Sequence, residues 1–131
     1  MKVLFICVEN SCRSQIAEGF ARQLGLQSES AGVKAGSGVN PDAVTVMAEA
    51  GVDISTQLSK AIDYDKLATY DAVISMCSLK TAHFCPSTFI GTQANWNVED
   101  PKGQPLELFR RVRDQIQEKV EELAAKAKVR Q

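Results

Sequence analysis

Cys7 and Arg13, with a loop of five residues between them, are the pair in this chain best suited to chemistry on an anion. Residues 2–8 form an apolar run of strand length that delivers Cys7, and Arg13 stands where a helix begins. In a tight strand–loop–helix junction, backbone N–H groups converge on one point and the positive end of the helix adds to them. Arg13 contributes a planar fork of donors that suits a tetrahedral oxyanion. The same field favours a thiolate, so Cys7 is expected to ionise below the ordinary thiol value of about 8.5. A Cys and an Arg at this spacing also describe a buried strand-end thiol followed by a surface cation. The context decides for the anion site: Ile16, Ala17, Phe20, Ala21 and Leu24 recur at helical spacing, and Gly25 stops the helix.

Three further cysteines bear on what Cys7 does. Cys77 ends the second strong strand, Ala72 to Met76. Because the strands of a parallel sheet all end on one edge, Cys77 is expected on the same edge as Cys7. Cys85 follows within the irregular segment from Ser78 to Ile90. Three thiols near one anion site suggest a relay in which one attacks, one resolves and one carries the disulfide away. The alternative is that Cys77 is a buried strand-end residue and Cys85 is incidental. Cys12, inside the loop, is expected to be packed and inert. A departing oxygen also needs a proton, and the Glu99-Asp100-Pro101 turn supplies an acid that would project over the same edge.

The elements that must hold these residues are legible from periodicity and turn chemistry. After the first helix come a weak strand from Gln27 to Ala31 and a loop from Lys34 to Val39. Asn40 and Pro41 read as the cap and first residue of a helix that Gly51 closes. Asp65 to Tyr70 is a candidate short helix, and Gln93 to Trp96 a short edge strand. A long amphipathic helix from Pro105 to Lys126 carries Leu106, Phe109, Val112, Ile116, Val120 and Leu123 on one face. This alternation predicts an α/β fold, a parallel sheet with helices on both faces.

Composition excludes several functions. The 131 residues suit one domain, 1–131, with a net charge of −1 that offers nucleic acid no general attraction. No apolar run has the length of a membrane span, and the N-terminus reads as a strand and not a signal peptide. A cytoplasmic protein is expected, with its cysteines reduced unless redox chemistry is their task. With His83 the single histidine and no two cysteines at C-x-x-C spacing, zinc is a poor fit.

Cys7 to Arg13 followed by Ser14-Gln15-Ile16-Ala17-Glu18-Gly19 resembles the phosphate loop and first helix of the arsenate reductases built on the low-molecular-weight tyrosine phosphatase fold. Ser30-Ala31-Gly32, Asn40-Pro41, Asp53-Ile54-Ser55, Asp71-Ala72-Val73-Ile74, Trp96 and Glu99-Asp100-Pro101 extend the likeness over nearly the whole chain. Cys77 and Cys85-Pro86 tilt it from phosphatase to thioredoxin-coupled reductase. The resemblance implies a three-layer fold on a four-stranded parallel sheet, acting as a monomer. It implies that Cys7 attacks arsenate held by the loop Asn10, Ser11, Cys12, Arg13 and Ser14. Ser14 would stabilise the thiolate, Asn10 would shape the loop, and Asp100 would protonate the departing oxygen. Cys77 would then form a disulfide with Cys7 and release arsenite, and Cys85 would move that disulfide outward for thioredoxin as the segment from Ser78 to Phe84 rearranges. No cofactor is obligatory, but some members hold a monovalent cation such as K⁺, and Asn10, Glu18 and Ser30 are the matching positions.

The chain also departs from that pattern. Seven residues separate Cys77 from Cys85, one more than the family expectation of about six. Glu9 brings a carboxylate into a loop that binds a dianion, and it is expected to point outward. Lys102 and Gly103 follow Pro101 where a phosphotyrosine phosphatase places aromatics. Two other readings stand beside the thioredoxin-coupled one: a low-molecular-weight tyrosine phosphatase, and a reductase served by glutathione and glutaredoxin.

Overall fold

A computed structural model of the chain describes residues 1–77, 81, 85 and 89–129. Four parallel strands, β1 (Lys2–Cys7), β2 (Gln27–Gly32), β3 (Ala72–Ser75) and β4 (Thr92–Asn95), form one sheet in the order β2-β1-β3-β4. β1 lies centrally, with Cys7 opposite Gly32 on one side and Ile6 opposite Ser75 on the other. The chain leaves β1 toward β2 and later returns to build β3 on the opposite side. Such a reversal opens a crevice at the carboxyl ends of the strands, which is where open α/β sheets hold ligands.

Alternation along β1 divides the core in two. Val3 and Phe5 face the α-helical layer, built by α1 (Arg13–Gln23), α2 (Pro41–Glu49) and α3 (Leu106–Val129). There Ile16, Phe20, Met47, Phe109 and Ile116 are fully or almost fully buried. Leu4 and Ile6 face the other way, with Ala31 and Val73, against Ile62, Leu67 and Tyr70. Leu67 belongs to a 3₁₀ helix, Tyr64–Thr69, which begins where Asp63 accepts the Asp65 N–H. Among the described residues, helices therefore flank both faces, three on one and the short 3₁₀ helix on the other. α3 runs from Leu106 to Val129, a little beyond the expected Lys126. Among the described residues, no helix is long and apolar enough to cross a membrane.

Two features of this packing bear directly on the site. β2, whose sequence QSESAG carries little strand signal, is held as a strand by its pairing with β1 along all six residues. Its last residue, Gly32, is pressed against the loop after β1. A Cβ there would lie 2.8 Å from both Asn10 N and Val8 O. The expected irregular segment from Ser78 to Ile90 falls, apart from Thr81, Cys85, Phe89 and Ile90, outside the described residues, as do His83 and Pro86.

Candidate active site

Every carbonyl of the loop after β1 is turned outward and bonded. Cys7 O accepts from Val33 N at 3.1 Å, Val8 O from Lys34 N at 3.2 Å, and Glu9 O from Gly36 N at 2.9 Å. Asn10 O accepts from Gln15 Nε2 at 2.9 Å, Ser11 O from Asn40 N at 2.9 Å, and Cys12 O from Ile16 N at 3.0 Å. In a planar trans peptide the N–H points opposite to its C=O. Fixing the carbonyls of residues 7–12 outward therefore turns the N–H groups of residues 8–13 inward, toward one centre. The start of α1 is left open to the same centre: Cys12 makes no side-chain cap, and no acidic residue stands in the first turn. Contrast α2, where Asn40 accepts the Asp42 N–H and Asp42 offsets the dipole. An uncapped, uncompensated helix start leaves its amides and positive partial charge for an anion.

The loop's shape depends on Asn10, which has a left-handed backbone (φ 54) and is fully buried. Its Oδ1 accepts the Lys60 N–H at 2.9 Å, an unambiguous donor, so its Nδ2 must face Ser14. That amide donates to Ser14 Oγ at 2.8 Å. Ser14 Oγ also lies 2.8 Å from Cys7 Sγ, and toward a thiolate it is the hydroxyl that donates. A hydroxyl donor at that distance supports the charge that a sulfur nucleophile carries. Cys7 itself is 3% exposed.

Arg13 is held by the ends of other strands. Its Nη1 donates to Met76 O at 2.7 Å and to Val98 O at 3.0 Å, and its Nη2 stands 3.8 Å from Asp100 Oδ2. These carbonyls fix the guanidinium over a cavity of about 120 Å³ that Cys7, the loop, Asp100 and Lys102 line. Asp100 Oδ1 accepts the Lys102 N–H at 3.1 Å, which orients the carboxyl at the cavity mouth. Glu9 points to the rim, where Lys102 Nζ meets its Oε2 at 2.5 Å and holds its carboxyl below the ordinary value. Cys12 is buried, and desolvation pushes its thiol up to about 11. The tether carbonyls of Met76 and Val98, the Lys60 amide and Gln15 were not legible in the sequence. Backbone acceptors have no residue signature, and Gln15 looks like any helical glutamine.

The distal cysteines lie on the other side of the sheet from Cys7. Cys77 Sγ is 3.5 Å from Ser75 Oγ, and Ser75 follows Val73 on the face opposite the α-helices. Cys85 is buried in that second core, where desolvation raises its thiol above the ordinary value. Its N–H donates to Thr81 O at 2.9 Å, and Thr81 is tied to β4 through Asn95 and Gln93.

The expected cation positions are already served by protein charge. Glu18 Oε1 accepts from Ser30 Oγ at 2.5 Å and has Lys60 Nζ at 3.9 Å, while Arg22 pairs with its other oxygen. With Asn10 Oδ1 also engaged, Asn10, Glu18 and Ser30 present no vacant oxygen cage, and the set does not fit a bound K⁺.

Known proteins resemble this chain over nearly its whole length. The family model described as low molecular weight phosphotyrosine protein phosphatase matches residues 2–131. A glutaredoxin arsenate reductase of Synechocystis sp. is 45% identical over 130 residues, 95% of this chain and 97% of that protein. An arsenate reductase of Staphylococcus aureus is 40% identical over 124 residues, 91% and 92% of the two chains. The solved structure of an arsenate reductase in the phosphate binding state superposes with a TM-score of 0.81 at 43% identity, covering 95% of this chain and 97% of that one.

Proposed function

The chain belongs to the low molecular weight phosphotyrosine protein phosphatase family, and from its arsenate reductase relatives within that fold we propose that it reduces arsenate to arsenite. The inward-turned amides of residues 8–13 above Cys7 carry the anion-binding part of this reading. The relatives named as arsenate reductases, at 40–45% identity over most of both chains, support arsenate as that anion.

Arsenate enters the cradle with its charge on the loop amides and Arg13. Cys7 attacks arsenic, an As–O bond breaks, and Asp100 gives the departing oxygen its proton. Cys77 then attacks the sulfur of Cys7. The S–As bond breaks with its electron pair passing to arsenic, so As(V) becomes As(III) and leaves as arsenite. The Cys7–Cys77 disulfide carries the two oxidising equivalents. Cys85 attacks Cys77, freeing Cys7 and forming Cys77–Cys85, which a reduced dithiol donor returns to thiols. A cytoplasmic setting and a monomeric enzyme complete this reading, since a reducing compartment supplies the donor.

Thioredoxin is the donor we assign, because a Cys77–Cys85 dithiol leaves a protein disulfide as its end product. A glutathione and glutaredoxin couple is the second reading, favoured by the name of the Synechocystis relative. Purified donors exchanged in one turnover assay decide between them. Loss of turnover in each of Cys7→Ser, Cys77→Ser and Cys85→Ser is the expected result. Full donor-coupled turnover in Cys85→Ser would overturn the relay. Hydrolysis of aryl phosphates that survives removal of both distal cysteines, with no arsenate turnover, would favour a phosphatase.

A further inference from the structure

We propose that Glu9 and Lys102 form a charged strap across the rim of the anion pocket, admitting bare oxyanions and disfavouring organic phosphate esters. The proposal rests on the cradle taking an oxyanion, as set out above. The pair joins two segments far apart in sequence, the loop after β1 and the turn that carries Asp100. Both residues line the same cavity as Cys7 and Arg13. Depth orders them: Cys7 and Arg13 are 3% and 7% exposed, whereas the side chains of Glu9 and Lys102 are 34% and 53% exposed. The nucleophile is thus at the floor and the ion pair at the outer lip.

Once bound, a bare tetrahedral oxyanion places its oxygens on the amides, on Arg13 and toward Asp100, and nothing of it lies across the lip. In an ester, one oxygen bears an organic group that has to leave the pocket past Glu9 and Lys102. The strap also cancels a charge. Without Lys102, the Glu9 carboxylate would face the incoming dianion, with Lys34 as its other cationic neighbour. Lys102 in turn lies near Asp100 and Cys12. Glu9 is held below its ordinary carboxyl value and Lys102 above its ordinary amine value, so the two remain an ion pair at neutral pH.

The test uses the intact protein and the variants Glu9→Gln, Lys102→Met and the double variant. Protection of Cys7 from iodoacetamide, followed by peptide mass, gives dissociation constants for inorganic phosphate and phenyl phosphate without relying on turnover. An exposed pair of this kind changes affinities by no more than about fivefold. Lys102→Met is expected to weaken inorganic phosphate by about two- to fivefold, and Glu9→Gln to tighten it. The double variant should return close to the starting value for inorganic phosphate while binding phenyl phosphate about two- to fivefold more tightly. High ionic strength should narrow the difference between the two ligands in the parent protein and leave the double variant unchanged. An unaltered ligand ratio in the double variant, or single variants that shift phosphate binding in the same direction, would overturn the strap. Failure of any anion to protect Cys7 in the parent protein would remove the cradle and the strap together. Arsenate turnover measured alongside reports on the reductase reading alone.

Discussion

At the proposed nucleophile, the reactivity of Cys7 is expected to depend on Ser14. Its hydroxyl lies between the sulfur and the Asn10 amide, and Asn10 is itself fixed by the Lys60 backbone. Ser14→Ala removes the donor while leaving the loop carbonyls bonded. It is expected to slow Cys7 alkylation and arsenate turnover by about tenfold or more, in line with the loss of a charge-assisted hydrogen bond of about 1.5–3 kcal/mol. The buried Asn10 amide loses its acceptor in the same variant, so stability should fall as well, by about 1–3 kcal/mol. Cys12 gives a pH prediction with a definite sign. Its thiol is pushed up to about 11 from 9.0, so an unfolded chain loses that proton first. The stabilisation is therefore complete below the unfolded value and disappears as pH rises through the folded one. Denaturant midpoints should fall between these two values, and fall less steeply in Cys12→Ala. Cys85, raised by the same cause, adds a slope of the same sign.

Among the elements, β2 matters more than its polar sequence suggests. Its end supports the loop after β1 by direct contact, because Gly32 leaves no room for a side chain between Lys34 O, Asn10 N and Val8 O. All three contacts are backbone, which cannot swing aside as a side chain can. Gly32→Ala is expected to displace the loop, with arsenate turnover reduced by about a hundredfold or more, as misplacement of about 1 Å at a reacting centre does. Stability should fall by about 1–3 kcal/mol, the usual cost of overpacking. Turnover near the parent level would mean that the loop carbonyls tolerate movement. The helix layer is tied from the far side by α3, where Arg110 and Arg113 both engage Glu49 of α2, and Arg113 Nη1 donates to Val46 O at 2.9 Å. These ties fix α2, and with it the Asn40 amide that holds Ser11 O.

For the whole molecule, the sheet itself separates the nucleophile from its proposed partners. Cys7 opens toward the helical layer's edge, while Cys77 and Cys85 belong to the opposite face. A relay across that edge requires Cys85 to leave its buried place. In the reduced protein, Cys85 should therefore react with alkylating reagents far more slowly than Cys7. Disulfide mapping after arsenate treatment without a donor should return Cys77–Cys85 in the parent chain and Cys7–Cys77 in Cys85→Ser. A Cys7–Cys12 bond in the parent chain would contradict this order.

Much of this molecule was readable before any coordinates, because its signals are local. The apolar run ending at Cys7, the periodic helix after Arg13, the Asn40-Pro41 start of α2 and the long stripe of α3 all follow from spacing and turn chemistry, and all appear in place. The Asp-Pro turn and the outward Glu9 were likewise anticipated. By itself, then, the sequence determined the strand order of chemistry: a sulfur, a loop, an arginine and two later thiols. Tertiary structure alone decided how they meet. It bonded six loop carbonyls outward from positions as distant as Asn40, and it hung Arg13 on the carbonyls of Met76 and Val98. It also paired Glu9 with Lys102 and set Lys60 against Glu18 where a cation had been expected. These are contacts between backbone groups and between residues far apart in the chain, and neither kind leaves a periodicity or a motif that a linear reading can detect.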